Sequence, residues 1–201
     1  MTGRLSVILL VVLFSCLPVS DSVAAAIPPM RPYTGIGLIV FSSHGDGVDD
    51  GGLQLPLYDE PGLDRIGLLT SSRLPAHEWL FDLQEEAPPL IVSARKGDWL
   101  RVFYDDAGRE AWLKPQTTGR FIPWEQFLRR QSGCLLPGLQ PRYLRLLQQP
   151  DGKLLAAMTP KRFFKVLKVE DSWALVLRED WQTGWLRWRD DDGRLLIGIG
   201  K

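Results

Sequence analysis

The chain has 201 residues, 45% of them hydrophobic, and its 24 Lys and Arg balance its 24 Asp and Glu. A neutral balance provides no electrostatic footprint for DNA, RNA or an anionic membrane surface, and the length suits one medium domain or two small ones. After the first 26 residues no stretch approaches the apolar length of a membrane helix.

In chain order, a leader comes first, over residues 1–26. Met1-Thr2-Gly3-Arg4 is short and positive, and Leu5 to Phe14 is almost entirely apolar. That run is too short to cross a bilayer of about 30 Å, and Pro18 then breaks any helix. Ala24-Ala25-Ala26 supplies small residues for cleavage after Ala26, with cleavage after Ala24 as the alternative. This is the pattern of a secretory signal peptide, and it predicts an exported protein of the periplasm or cell envelope with no membrane span once the signal is removed. Leu13-Phe14-Ser15-Cys16 supports a second reading, a lipobox in which Cys16 is acylated and anchors the protein. A cleaved product keeps Cys134 alone, so no internal disulfide can form and each folded half is expected to rely on its own hydrophobic core. Cys134 itself, in the apolar run Gly133-Cys134-Leu135-Leu136, reads as a small buried hydrophobe, with a reactive thiol or an intermolecular bridge as the alternative.

The rest reads as β, with short apolar runs separated by turn residues. Gly35 to Phe41 is a first strand. Leu90 to Ala94 and Trp99 to Tyr104 flank the tight turn Arg95-Lys96-Gly97-Asp98, and Asp105-Asp106-Ala107-Gly108 turns the chain into Glu110 to Lys114. One short helix follows. Pro123 suits a first turn, Trp124, Phe127 and Leu128 fall on one face, Arg129-Arg130 suit its C-terminal end, and Gly133 can stop it. It is expected to link two halves across 119–138.

The second half echoes the first. Gly97-Asp98-Trp99 is echoed by Glu170-Asp171-Ser172-Trp173, and Trp112-Leu113-Lys114 by Trp185-Leu186-Arg187. Upstream, Leu55-Pro56-Leu57-Tyr58-Asp59-Glu60-Pro61 corresponds loosely to Leu144-Arg145-Leu146-Leu147-Gln148-Gln149-Pro150. The first copy is longer by about 15 residues, placed as an insertion around 71–88, and a tandem duplication is the economical account.

Each half resembles a bacterial SH3-like (SH3b-type) domain. The likeness rests on Leu57-Tyr58-Asp59 as the entry to a long irregular loop, on the strand Gly97-Asp98-Trp99-Leu100-Arg101-Val102, and on the closing strands Ala111-Trp112-Leu113 and Gly184-Trp185-Leu186, the second nearer the family's usual Gly-Trp pair. It covers roughly 50–116 and 141–197. It implies an all-β fold of two small, five-stranded, partly open SH3-like barrels over 33–118 and 139–200, joined by the short linker helix. It also implies a peptide groove lined by Tyr58, Trp99 and Pro115, flanked by Asp59, Glu60 and Asp64, with Trp173 as the counterpart in the second copy.

Alternation along Trp99 to Tyr104 puts Leu100, Val102 and Tyr104 on one face and Trp99, Arg101 and Phe103 on the other. Both faces are bulky and apolar. One faces a core; the other packs on the sister half or meets a ligand, and both readings stay open for Trp99 and Trp173.

Catalysis has few candidates. Nucleophilic thiol chemistry needs a base beside the cysteine, and the only histidines, His44 and His77, fall in predicted loops. A Cys134-dependent hydrolase is the remote alternative. The acidic loops Asp46–Gly51 and Asp190–Gly193 lack the alternating ligands and final glutamate of a calcium loop. Asp192-Gly193 reads instead as a hairpin turn between Trp185–Trp188 and Leu195–Ile199. The pairs Glu85-Glu86 and Asp105-Asp106 read as solvated loop acids. No enzyme, cofactor or metal site is therefore expected. The expectation is a non-catalytic envelope module that binds a peptide, peptidoglycan or an envelope protein. The alternative is an assembly subunit whose two barrels pack on each other.

Overall fold

The computed structural model describes residues 33–41, 53–75, 77, 80–82, 88–115 and 119–200. The leader with Cys16, the loop with His44 and Asp46–Gly51, and Glu85-Glu86 lie outside the described residues. Among the described residues no helix is long and apolar enough to cross a membrane.

The fold is all-β. The first half contains β1 (Gly37–Phe41), β2 (Gln54–Glu60), β3 (Leu63–Thr70), the two-residue β4 (Phe81–Asp82), β5 (Leu90–Lys96), β6 (Trp99–Phe103), β7 (Glu110–Leu113) and β8 (Gly119–Pro123). The α-helix α1 (Trp124–Leu128), the only one among the described residues, separates them from β9 (Ser132–Leu135), β10 (Arg145–Leu147), β11 (Leu154–Ala157), β12 (Phe163–Glu170), β13 (Trp173–Arg178), β14 (Thr183–Arg187) and β15 (Ile197–Gly200). The stretch 119–138 is thus more than a helical link. Its helix sits between two strands, each recruited into a different sheet.

One sheet has seven strands in the order β3-β2-β7-β6-β5-β1-β8, and the other has eight in the order β11-β10-β14-β13-β12-β9-β15-β4. Leaving β4 aside, the two orders correspond strand for strand. Both sheets are open, with seven strands where five were expected. Irregularities coincide too: the ladder shifts between Leu57 and Tyr58 and between Leu146 and Leu147, and again between Val92 and Ala94 and between Val166 and Lys168. Each bulge admits one extra residue, so inward and outward positions change over at that point. In β12 it leaves Leu167 and Lys168 both exposed.

Local chemistry explains the turns. β5 and β6 reverse across Gly97-Asp98, and β12 and β13 across Asp171-Ser172. The first turn position is left-handed in both, with φ +60 at Gly97 and +49 at Asp171, as a two-residue hairpin turn requires. Between β6 and β7, Asp105 closes the turn: its carboxylate accepts the Arg109 backbone N–H at 2.9 Å, and its carbonyl accepts that of Gly108 at 3.1 Å.

Two cores result. The smaller fills the first half, with Ile39, Leu55, Leu57, Leu90, Leu100, Val102 and Leu113. The larger joins Leu146, Val166, Val176 and Leu186 of the second sheet to Leu38, Ile91, Phe103 and Ile122 of the first, with Trp124, Phe127 and Leu128 of α1 between them. Neighbouring strand residues point to opposite faces, so Leu38 and Ile39, or Leu90 and Ile91, feed different cores. The expectation that each half relies on its own core therefore fails for the second half, whose core is continuous with the seam. At the centre of that seam the Trp124 and Trp188 rings lie 5.7 Å apart.

The seam is also hydrogen-bonded. Thr34 donates its backbone N–H (2.8 Å) and its hydroxyl (3.1 Å) to the Gly193 carbonyl, and Trp124 Nε1 donates to the Thr34 carbonyl. The insertion around 71–88 contributes β4, which pairs parallel with β15 at the edge of the other sheet, and the Ile199 N–H reaches the Leu80 carbonyl at 2.7 Å. The hairpin predicted at Asp192-Gly193 is only local. Arg189 and Leu195 form an isolated bridge, but β14 is already paired on both edges by β13 and β10, so β15 departs to the free edge of β9.

Candidate functional site

Tyr58 ends the regular part of β2, and the long irregular loop expected after Asp59 is instead a tight turn at Pro61-Gly62 into the eight-residue β3, because Glu60 pairs directly with Leu63. Its ring meets that of Trp99 edge to face, with centroids 5.2 Å apart and planes at 84°. This is a favoured geometry, because the positive edge of one ring faces the negative face of the other. Both rings are half-buried. Trp99 lies under the β2–β3 turn, where a Cβ on Gly62 would come within 3.5 Å of the indole. Tyr58 sits directly opposite Trp112, and Trp112 opposite Arg101, so the three form one cross-strand row on the outer face. Arg101 is tied to Glu110 at 3.0 Å. Asp59, Glu60 and Asp64 are exposed beside the aromatics. The outer face of β6 is thus divided: Phe103 enters the shared core, while Trp99 reaches the surface.

Pro115 does not join this pair. Trp99 and Leu100 point to opposite faces of β6, and Pro115 follows the Leu100 side. It lines a shallow depression with Arg95, Asp98, Leu100, Lys114 and Phe121, where Lys114 pairs with Asp98 at 3.3 Å. The expected groove of Tyr58, Trp99 and Pro115 is therefore not assembled on one surface.

In the second half, Leu147 lies opposite Trp185 as Tyr58 lies opposite Trp112, so the place of the tyrosine is taken by leucine. Trp173 borders a cleft of about 260 Å³ whose other walls include Arg142, Arg145, Asp151, Arg187 and Asp191. The Arg187 guanidinium lies over the Trp173 ring, 5.0 Å from its centroid, and pairs with Asp191. Of these charged residues the sequence had drawn attention to Asp191, as part of an acidic loop, and not to Arg142, Arg145 or Asp151. A second signal is Arg187 at the close of Trp185-Leu186-Arg187, directly across the ladder from Trp173.

The groups of the thiol-hydrolase reading are also placed. Cys134 lies on β9 opposite Phe163 and Gly198, and burial pushes its thiol pKa up. His77 is buried against Phe81, with its pKa lowered by desolvation against a weaker opposing pull from Asp106. Its Nε2 has no hydrogen-bond partner among the described residues. A thiolate–imidazole pair needs that nitrogen within hydrogen-bond reach of the sulfur. In the Asp190–Gly193 loop the Asp190 carboxylate accepts backbone N–H groups of Asp192 (3.1 Å) and Arg194 (2.7 Å), so it organises the turn.

No family model matches the chain, and no curated protein matches it. Among solved structures the chain is similar to NlpC1 from Trichomonas vaginalis, with 9% identity and a TM-score of 0.33 over 82% of this chain and 51% of that one. The chain thus spans about half the length of that protein, and a likeness at this level carries no argument about ligand or activity.

Proposed function

We propose that the protein is an exported, non-catalytic binding module of the cell envelope, built from two tandem SH3-like copies, and that it holds a peptide segment on the Tyr58–Trp99 surface. The observation that carries this reading is the half-exposed, edge-to-face aromatic pair at the β2–β3 turn. Aromatic pairs held by two strands present a rigid apolar platform, and exposed acids beside it favour a basic or neutral segment. The matching strand orders and bulges of the two sheets support the tandem-copy part. Pull-down of the protein with purified cell-wall sacculi tests the peptidoglycan version. Enrichment that falls when Trp99→Ala is introduced supports it, whereas equal recovery of both proteins removes this surface from the account.

A second reading, an assembly subunit, draws on Trp181. It is 83% exposed at the β13–β14 turn and has a left-handed φ of +63, which is uncommon for a bulky residue. Lysine-directed crosslinking in cells tests it: a partner captured by the wild-type protein and lost from Trp181→Ala supports it, and equal capture by both proteins counts against it.

A further inference from the structure

We propose that the Trp173 cleft of the second half is a site for a carboxylate, the free C-terminal end of a peptide. It lies on the other half from Tyr58 and Trp99, and its test is independent of that surface.

Three guanidinium groups border the cleft. Arg187 is the most enclosed, its side chain only 25% exposed. Trp173 supports one face of it, Asp191 binds it, and the Asp151 carboxylate lies 3.9 Å away. Arg142 rests on the Tyr143 ring at 4.7 Å and reaches the same Asp191 at 3.9 Å. One carboxylate is therefore shared by two arginines. Arg145 is exposed at the start of β10, and its guanidinium forms no ion pair or hydrogen bond among the described residues.

Three cations against two carboxylates leave the cleft with one surplus positive charge. Each guanidinium carries five N–H donors in a planar fork, and the contacts above engage few of them. A carboxylate can take two such donors side by side. The single surplus charge suits a monoanion. A phosphate dianion would meet Asp151 and Asp191 across a cleft of about 260 Å³. Trp173 and Leu147 give the cleft apolar walls beside the guanidinium groups, a setting for the side chain of a terminal residue. The charge is not imposed by the fold. At the positions matched by ladder register to Arg145 and Arg187, the first half carries Pro56 and Lys114, and Lys114 is paired with Asp98.

Isothermal titration of the purified protein with acetyl-Ala-Leu as the free acid, with the same dipeptide as its C-terminal amide, and with inorganic phosphate tests the assignment. The free acid binds, and the amide and phosphate bind at least about tenfold more weakly. Arg145→Gln and Arg142→Gln each weaken the free acid by about tenfold. Both residues are exposed, so the variants keep the wild-type unfolding midpoint; Arg129→Gln, just beyond α1, leaves binding unchanged. Equal binding of acid and amide, no binding of the acid at millimolar concentration, or unchanged affinity in Arg145→Gln overturns the proposal. Tighter binding of phosphate than of the acid also overturns it, in favour of a phosphate site.

Discussion

Replacing Trp188 with alanine tests whether the two halves fold as one body. Trp188 is 2% exposed, its ring lies 5.7 Å from that of Trp124, and its Nε1 donates to the Asp171 carbonyl at 2.9 Å. Truncating a buried tryptophan to alanine costs about 3–5 kcal/mol through lost contacts and the cavity left behind. Set against a total stability of about 5–15 kcal/mol, this is a large fraction. With a urea slope of about 2 kcal/mol per M, the unfolding midpoint falls by about 2 M. The larger core contains residues of β1, β5, β6 and β8 as well as β9, β12, β13 and β14, so the loss is felt on both sides of the seam. Urea titration followed by far-ultraviolet circular dichroism and by tryptophan fluorescence should show one coincident transition in both proteins, displaced as a unit in the variant. Trp124→Ala combined with Trp188→Ala should cost less than the two singles together, by about 0.5–1.5 kcal/mol, because the ring pair is lost only once. Two separated transitions, with only one of them displaced, would refute the shared-core reasoning.

Further expectations concern single groups. Gly184→Ala should cost about 1–3 kcal/mol by overpacking, measured as a chemical-denaturation shift, because a Cβ there would come 2.6 Å from Leu146 Cγ; the first half tolerates Ala111 at the matching position. Burial raises the Cys134 thiol pKa, so alkylation of the folded protein near neutral pH should be slower than that of a free thiol and should recover in urea. Its linked stability is present below the unfolded-state pKa and is lost as pH rises toward the folded value. His77 has the opposite sign: its folded pKa is lowered, so its contribution is present above the unfolded value and is lost as pH falls through the folded one. His77→Phe should flatten the fall in unfolding midpoint between neutral and mildly acid pH, and an unchanged slope would remove His77 from acid sensitivity. Gly35→Ala should impair folding more than Gly97→Ala, since a Cβ on Gly35 would lie 2.0 Å from the Val92 carbonyl oxygen whereas Gly97 opens to solvent; expression yield and melting temperature report the difference.

How far the sequence could be read depends on the distance between interacting residues. Strands β5, β6 and β7 and helix α1 were legible because alternation, Gly-Asp turns and a proline start act over a few residues. The Tyr58–Trp99 pair followed from the family resemblance. The all-β class was likewise readable from short apolar runs separated by turn residues. Pro115 was misplaced because the face on which a residue after a strand emerges depends on the path beyond that strand. The arginines of the Trp173 cleft were missed because Arg142, Asp151, Arg187 and Asp191 come from separate turns and a strand, brought together by the ladders. The seam has the same origin. Thr34 meets Gly193, and β4 meets β15, across more than 100 residues, and no local pattern encodes such pairings. By itself, then, the sequence determined the strands bounded by strong turn signals, such as β1, β5, β6 and β7, and which of their residues are bulky on both faces, but not β3, β8 or β9. The tertiary structure alone decided which of those faces meets a core, the other half or solvent, because burial depends on what the rest of the chain places opposite.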